Sequence, residues 1–296
     1  MKEILVTGGS GQVGSAIAAL SPFDGFHFVA LDKSQFDLLN PSTFASIISS
    51  RSWAAIINAA AFTAVDKAES NVEDAWRINA LAPAVLAREA ALAGVPLVHV
   101  STDYVFSGAS KAPYTEGDPV GPLGVYGASK AAGEQGVRTG GGRNVIVRTS
   151  WVVSATGTNF LKTMLRLGAE REVLRVVADQ YGAPTSAKDL AAVLARIACA
   201  LASDPYARTG TFHFTNSGAT TWADFAAEIF RLSTLKGGPT ARVQPITTAE
   251  YPTPARRPAN SLLSTDLIQE VYGVTPRTWQ VAISDIIDEL LAPRFS

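Results

Sequence analysis

The sequence of 296 residues has little of several features that define whole classes of protein. Its one cysteine, Cys199, excludes an intrachain disulfide and a metal site built from several cysteines. Cys199 falls in an apolar segment that predicts a buried helix, so we interpret it as a core residue. The three histidines are far apart, which excludes a helical zinc motif.

Charge and long apolar runs are also scarce. Lys and Arg total 25 against 26 Asp and Glu, so the chain has no positive excess to attract nucleic acid. No apolar run reaches the ~20 residues of a membrane span, and the first residues lack the apolar stretch of a signal peptide. We therefore expect a cytoplasmic protein that has neither nucleic acid nor a membrane as its partner.

What the chain does have is a regular alternation of short apolar runs with helical patterns. Five runs have the continuous Val, Ile and Leu character of strands buried on both faces: residues 4–6, 28–31, 55–57, 97–100 and 145–147. Helical patterns lie between them at residues 13–20, 41–50, 72–93 and 128–137. The alternation predicts an α/β protein with a doubly wound parallel sheet, the Rossmann fold.

The pattern is looser in the second half. Helices are predicted at residues 159–167, 186–202, 222–232 and 279–291, with a strand at 211–214. The stretch 239–258 is rich in Pro and Thr, which predicts irregular structure. We therefore predict a dinucleotide-binding domain over residues 1–150. A smaller α/β substrate domain is predicted mainly over residues 151–296, with some segments returning to the sheet.

A glycine-rich segment, TGGSGQVG at residues 7–14, follows the first predicted strand and opens the first predicted helix. Its glycines permit a tight turn, a close approach of backbone N–H groups to a pyrophosphate, and close packing of helix on strand. The segment predicts a dinucleotide site that includes Gly8, Ser10, Gly11, Gln12, Val13 and Gly14.

The end of the second predicted strand carries residues that bear on the choice of cofactor. Asp32 stands where an acid normally binds the adenosine ribose, which favours NAD, whereas Lys33 suits the 2′-phosphate of NADP. The residues therefore leave NAD(H) and NADP(H) open. Asp37 and Leu38 are expected near the adenine. The alternative is an ordinary structural role for that pair and a turn cap for Asp32.

Tyr126 and Lys130 form a Y-x-x-x-K pattern at the start of a predicted helix, and this spacing places both on one helix face. A neighbouring ammonium favours the phenolate, so we expect the pKa of Tyr126 to lie below its usual ~10. Thr102 follows the strand predicted at 97–100, and the carboxyl ends of parallel strands share one edge. We predict that the three side chains meet as a catalytic group; the alternative for the helix pair is simple exposure to solvent.

Several strings together resemble the extended short-chain dehydrogenases/reductases, and more narrowly the dTDP-4-dehydrorhamnose reductase family. They are TGGSGQVG, INAAAFTAVDKAES, HVSTDYVFSG, YGASK, RTSWVV, NFLKTML, ADQYGAPTSA, TTW and YPTPARRPANSLL, and they span nearly the whole chain. The resemblance implies an oxidoreductase of dTDP-rhamnose biosynthesis. Such an enzyme reduces the C4 ketone of dTDP-4-dehydro-L-rhamnose to dTDP-L-rhamnose with a hydride from NADP(H) or NAD(H).

The resemblance also implies roles for individual residues. Tyr126 would be the proton donor, Lys130 would tune it and bind the ribose, and Thr102 would position the substrate oxygen. The residues expected to line the cofactor are Ala59, Ala60, Ala61 and Thr63. The residues expected to bind the substrate are Asp103, Tyr104 and Trp151 around the sugar, and Gln180 and Arg257 at the diphosphate.

Some family members are described as dimers bridged by a divalent metal. Ser15 and Lys188 stand where two of the metal-binding acids would align, and neither is a carboxylate ligand, which argues against Mg²⁺ here. A monomer and a homodimer both stay open. Other functions also stay open: another nucleotide-sugar reductase, an epimerase or a dehydratase, and a non-catalytic nucleotide-binding regulatory subunit.

Overall fold

The computed structural model describes residues 1–292. Its strands are β1 Lys2–Thr7, β2 Phe26–Leu31, β3 Trp53–Asn58, β4 Leu97–Thr102, β5 Asn144–Thr149, β6 Val152–Val153, β7 Val173–Val177, β8 Tyr181–Gly182, β9 Thr185–Ser186, β10 Gly210–His213, β11 Thr220–Thr221 and β12 Arg242–Ile246. Its α-helices are α1 Gln12–Ala19, α2 Phe44–Ser49, α3 Val65–Ala68, α4 Val72–Trp76, α5 Ala82–Leu92, α6 Val125–Thr139, α7 Phe160–Glu170, α8 Ala187–Ser203, α9 Trp222–Leu235, α10 Asp266–Tyr272 and α11 Trp279–Leu291.

Six strands form the central sheet in the order β10-β5-β4-β3-β1-β2, and every pairing is parallel. From β1 the chain first adds β2 on one side and then crosses to place β3 on the other. The connections therefore reverse direction between β1 and β3. A doubly wound sheet binds ligands beyond its strand ends at such a point, so the topology places the site there.

Helices cover both faces of this sheet, which confirms the predicted doubly wound α/β fold. On one face, Ile4 and Val6 of β1 pack in a core that includes Leu194 of α8. On the other, Leu5 packs with Leu86 of α5 and with residues of α2 and α6. The alternation along β1 follows from the period of two in a strand, and both faces are apolar because both are covered.

A second hydrophobic core lies among α7, α9 and α11. The parallel pair β7 and β12 borders it, with Leu174 and Val176 buried. Strand β10 and helix α8 come later in the chain than residue 150, yet they pack in the central sheet and on its face. The division into domains at residue 150 stays a prediction.

Three local expectations differ from the structure. Residues 239–258 are not irregular throughout, because β12 lies within them and includes Pro245. In its sheet β12 pairs with β7 alone, and a strand whose other side is unpaired tolerates proline. The helix predicted at 72–93 is interrupted by a π-helical turn at Arg77–Leu81. Helix α10 was not predicted. Within residues 1–292, no helix combines the length and hydropathy that crossing a membrane requires.

Candidate active site

The glycine-rich loop connects β1 to α1 beside the point where the connections between strands reverse direction. Gly8 has a φ of 75°, a conformation that favours glycine, and the N–H of Gly9 donates to Leu31 O at 2.8 Å. A Cβ at Gly14 would lie 2.1 Å from Gly8 O. The helix therefore approaches the strand more closely than any side chain at position 14 permits.

The first turn of α1 fits the pyrophosphate of a dinucleotide. In the described chain, Gly11 precedes the helix without any side-chain cap, and the first turn contains no acidic residue. The first N–H groups of a helix lack partners within it, and with the helix dipole they attract an anion. Gln12 points elsewhere: its Oε1 accepts from Ser154 Oγ at 2.9 Å and from Asn159 Nδ2 at 2.8 Å. It thus links the loop to the segment before α7.

The residues after β2 make local capping contacts and also lie where a cofactor-binding role was expected for them. Asp32 Oδ1 accepts from Ser34 Oγ at 2.6 Å and from Ser34 N at 2.8 Å, and these hydrogen bonds lower the pKa of Asp32. Asp32 is therefore a turn cap that still lies at the strand end, and Lys33 beside it is exposed. Asp37 Oδ1 caps Leu39 N at 3.0 Å. The Leu38 side chain is only 5% exposed and packs in the core, so its role at the adenine stays a prediction.

The loop after β3 lies against the glycine-rich loop. A Cβ at Gly8 would come 3.0 Å from the Ala60 backbone, and Ala59, Ala60 and Ala61 are all half-buried along this contact. Asn79 holds the loop in place: its Oδ1 accepts from Phe62 N at 2.8 Å and its Nδ2 donates to Phe62 O at 3.0 Å. Thr63, the next residue, is exposed.

The side chains of Thr102 and Tyr126 meet at the end of β4. The Tyr126 phenol lies close enough to the Thr102 side chain for that hydroxyl to lower the pKa of the phenol. Thr102 Oγ1 donates to Asp103 Oδ1 at 2.9 Å and accepts from Tyr104 N at 3.3 Å. The rings of Tyr104 and Tyr126 pack edge to face with 5.4 Å between their centroids. The hydroxyl pair thus lies against Asp103 and Tyr104, which directly follow β4.

The expected lowering of the Tyr126 pKa is wrong for this structure. Burial raises the pKa of Tyr126 to about 12, the hydrogen bond from Thr102 lowers it in part, and the charge of Asp103 raises it further. Lys130 does not offset burial, because its Nζ donates to Val100 O at 2.7 Å and lies 3.4 Å from His99 Nε2. The phenol is therefore protonated at neutral pH, which is the form that can donate a proton.

Lys130 follows Tyr126 by one helical turn and is buried, as the Y-x-x-x-K spacing predicts. Burial lowers the pKa of Lys130 to about 8, and the charge of Glu134 acts in the opposite direction. One of the three N–H donors of Lys130 bonds to the carbonyl of Val100. Val100 lies two residues before Thr102 on the same strand. Lys130 is therefore attached directly to the strand that carries Thr102.

Asp103 is the acid nearest to this hydroxyl pair. Burial raises the pKa of Asp103 to about 6, while the nearby hydroxyls of Ser261 and Thr102 act against that rise. Its Oδ2 is buried and has no partner among the described residues. Such an atom costs free energy unless a ligand satisfies it, which fits the substrate-binding role expected for Asp103.

The other expected substrate residues lie on segments that contact each other. Trp151, whose φ is 48°, stacks on Trp222 at 3.5 Å between ring centroids, and its ring packs against Gly182. Gln180 is buried and its Nε2 donates to Thr248 Oγ1 at 3.0 Å. Arg257 Nη2 donates to Asp66 Oδ2 at 2.8 Å.

Two contacts link these segments to each other and to Tyr104, whose ring packs on Tyr126. Tyr181 N donates to Ala259 O at 2.8 Å, which joins the Gln180 segment to the Arg257 segment. Arg257 in turn lies close enough to Tyr104 for each charge to influence the pKa of the other group. Their roles toward a substrate stay predictions.

Three residues of the site were not singled out from the sequence. Glu69 Oε1 accepts from Val125 N at 2.8 Å and so caps the first turn of α6. His99 is a polar residue inside an apolar strand, and that placement was the available signal. Glu134 follows Lys130 by four residues on the same helix face, so the spacing that pairs Tyr126 with Lys130, continued by one turn, was the available signal.

The two positions aligned with metal-binding acids make other contacts. Ser15 Oγ donates to Gly11 O at 2.7 Å, and Lys188 forms an ion pair with Glu289. Among residues 1–292, no three His, Cys, Asp or Glu side chains are grouped to hold a metal ion. Cys199 is buried in α8, and burial raises the pKa of its thiol to about 11, as expected of a core residue.

Comparison with known proteins bears out the resemblance. A family model described as the RmlD substrate binding domain matches residues 1–292. The chain is 43% identical over 291 residues to a dTDP-4-dehydrorhamnose reductase of Aggregatibacter actinomycetemcomitans, covering 97% of this chain and 98% of that protein.

Solved structures agree with this match. A dTDP-4-dehydrorhamnose reductase of Clostridium acetobutylicum has a TM-score of 0.90 at 38% identity, covering 97% of this chain and 99% of that one. A dTDP-4-dehydrorhamnose reductase of Bacillus anthracis, solved in complex with NADP, has a TM-score of 0.90 at 34% identity, covering 98% and 100%. The chain therefore belongs to the RmlD substrate binding domain family, together with these dTDP-4-dehydrorhamnose reductases.

Proposed function

We propose that this protein reduces the C4 ketone of dTDP-4-dehydro-L-rhamnose to the alcohol of dTDP-L-rhamnose, with NADPH as reductant. The observation that carries the proposal is the buried, protonated phenol of Tyr126 beside the Thr102 side chain, at the sheet edge that also carries the dinucleotide loop. The relative that is 43% identical carries the name of that reductase, and a relative that is 34% identical is solved with NADP.

NADPH supplies a hydride to the substrate when it is bound. The residues that hold it are those of the glycine-rich loop, the half-buried Ala59, Ala60 and Ala61, and Lys130. The uncapped first turn of α1 binds the pyrophosphate because its N–H groups and helix dipole favour an anion. Lys33 at the end of β2 is exposed and would meet the 2′-phosphate.

Tyr126 donates its phenolic proton to the oxygen of the substrate ketone as that oxygen becomes an alkoxide. The Thr102 hydroxyl lies beside Tyr126 and donates to the same oxygen when it turns from Asp103 to the substrate, so both hydroxyls act on one atom. Lys130 would stabilise the phenolate that Tyr126 leaves behind only if its ammonium turned from Val100 O toward the phenolate oxygen. Reprotonation of Tyr126 from solvent then completes the cycle.

The substrate is held by the residues on the neighbouring segments. Asp103 offers its unpartnered Oδ2 to a sugar hydroxyl, and the Trp151 and Tyr104 rings provide apolar walls. Arg257 and Gln180 bind the diphosphate. Arg257 already pairs with Asp66, so binding exchanges one anionic partner for another and the half-buried cation stays paired.

A product assay tests the proposal. The protein is incubated with dTDP-4-dehydro-L-rhamnose and either NADPH or NADH, oxidation of the cofactor is followed by absorbance, and the configuration at C4 is assigned by NMR. The expected result is dTDP-L-rhamnose formed in amounts equal to the cofactor oxidised, and faster with NADPH. The opposite C4 configuration would identify another nucleotide-sugar reductase, and product without net oxidation would identify an epimerase. Cofactor binding without turnover would identify a regulatory subunit.

We also propose that the protein acts in the cytoplasm and that it is a monomer or a homodimer. Cell fractionation tests the first statement. Light scattering with and without added Mg²⁺ or a chelator tests the second, and a mass that does not depend on the metal is the expected result.

A further inference from the structure

Glu134 is a buried carboxylate on α6, one helical turn beyond Lys130. Its side chain has no exposed surface and accepts four hydrogen bonds. Oε1 accepts from Ser101 Oγ at 2.6 Å and Arg148 Nε at 2.8 Å, and Oε2 accepts from Arg148 Nη2 and Arg138 Nη2, each at 2.7 Å. Every donor around Glu134 is thus fixed by a short bond.

These hydrogen bonds join α6, which carries Tyr126 and Lys130, to β4, which carries Thr102. Ser101 on β4 lies between Val100, whose carbonyl accepts from Lys130, and Thr102. Arg148 on β5 is 2% exposed and holds the other side of the carboxylate. The helix that bears Tyr126 and Lys130 is therefore bound to β4 by a side chain that itself touches no reacting atom.

The same carboxylate sets the charge around the buried ammonium of Lys130. His99 on β4 faces Lys130, and burial together with the charge of Lys130 holds the pKa of His99 well below its usual range, so the ring is neutral. Tyr126 on α6 is protonated. Burial opposes the ionisation of Glu134, but the hydrogen bond and charge of Arg148 outweigh it, and the pKa of Glu134 is lowered. Glu134 is the ionised group that raises the pKa of Lys130 against burial.

Arg148 is itself held by groups on other elements. Its Nη1 lies 3.3 Å from His213 Nε2 on β10, and its guanidinium lies over the Phe106 ring. His213 Nδ1 is 3.1 Å from Tyr114 O, and burial lowers the pKa of His213 to about 3, so its neutral ring accepts from Arg148. The pair of Glu134 and Arg148 is thus fixed in position and charge.

We propose that Glu134 is a positioning residue for the reduction, which fixes the Tyr126 and Lys130 helix against the Thr102 strand and keeps Lys130 charged. The proposal rests on the proposed function. A purely structural ion pair would affect folding and would leave the pH dependence of turnover unchanged. The two interpretations therefore differ in a kinetic measurement.

The test is the pH dependence of kcat for the full-length protein and its Glu134→Gln and Ser101→Ala variants with NADPH and the keto-sugar. Glu134→Gln removes the charge and keeps the shape, so the alkaline limb of the profile should move down by about one pH unit. Ser101→Ala removes the link to β4 and keeps the charge. It should lower kcat about tenfold without moving the limb.

Glu134→Asp is the matched control, because it keeps the charge in a shorter side chain, and its limb should stay where the wild-type limb lies. If Glu134→Gln does not fold, Arg138→Met replaces it. Arg138 is 39% exposed and shares the carboxylate, so losing its charge should move the limb up. An unmoved limb in a folded Glu134→Gln or in Arg138→Met overturns the inference. A wild-type protein without turnover overturns the proposed function instead.

Discussion

Replacing Gly127 with alanine should separate the two segments that form the catalytic group. Gly127 follows Tyr126 on α6, and a Cβ built there would lie 2.2 Å from Tyr104 O. Ordinary contacts begin near 3.4 Å, so the helix and the segment after β4 must move apart by about 1 Å. The obstacle is a backbone atom that no rotamer change can remove.

The expected loss follows from that displacement. A misplacement of about 1 Å in a catalytic geometry costs about 100-fold in rate, and overpacking costs about 1–3 kcal/mol of stability. The glycine-rich loop lies on another element and only Lys130 of the cofactor residues moves with α6, so the Kd for NADPH should change much less than the rate.

Steady-state kinetics with the keto-sugar, NADPH titration and thermal unfolding measure these three quantities. Gly117→Ala is the matched control, because its Cβ would meet no atom within 4 Å, and it should behave as wild type. A folded Gly127→Ala variant with wild-type kcat would refute the reasoning that places catalysis at the contact of Tyr126 with the Thr102 segment.

Three further predictions concern the loop, the buried acid and the cation. Gly14→Ala puts a Cβ 2.1 Å from Gly8 O and should weaken NADPH binding at least about tenfold, measured by fluorescence titration; unchanged binding would contradict the assignment of the loop. Asp103 has its pKa raised by burial from 3.8 to about 6, so its ionised form destabilises the fold as the pH rises through that range. Asp103→Asn should therefore raise the free energy of unfolding by about 3 kcal/mol at pH 8 and about half as much at pH 5, and an increase independent of pH in denaturant titrations would count against it. Arg257→Ala should raise KM for the keto-sugar about tenfold and leave kcat unchanged, whereas the reverse split in initial rates would remove Arg257 from the diphosphate site.

Local patterns were sufficient to predict most of the fold. The continuous apolar runs identify the five strands from β1 to β5 because a parallel sheet buries both faces, and the glycine spacing identifies the turn before α1 because backbone packs on backbone there. Pro245 in β12 was misjudged because the tolerance of a strand for proline depends on which of its sides is paired. That pairing is a property of the tertiary structure and leaves no mark on the local sequence.

The meeting of Thr102 with the helix that bears Tyr126 and Lys130 was predictable from the sequence, and the electrostatics around these residues were not. The Y-x-x-x-K spacing places Tyr126 and Lys130 on one helix face, and the sheet edge brings Thr102 to them. The direction of the Tyr126 pKa was wrong, because spacing alone does not reveal that Lys130 bonds to Val100 O and faces His99. The position of the Lys130 ammonium is decided by partners that lie about thirty residues earlier in the sequence.

The central claim is that the Tyr126 phenol supplies the proton for ketone reduction. Its most direct test is single-turnover reduction of the keto-sugar by Tyr126→Phe, which keeps the ring and removes only the hydroxyl. The rate should fall about 10²- to 10⁴-fold with the Kd for NADPH nearly unchanged. Reduction at the wild-type rate by the folded variant would contradict the account.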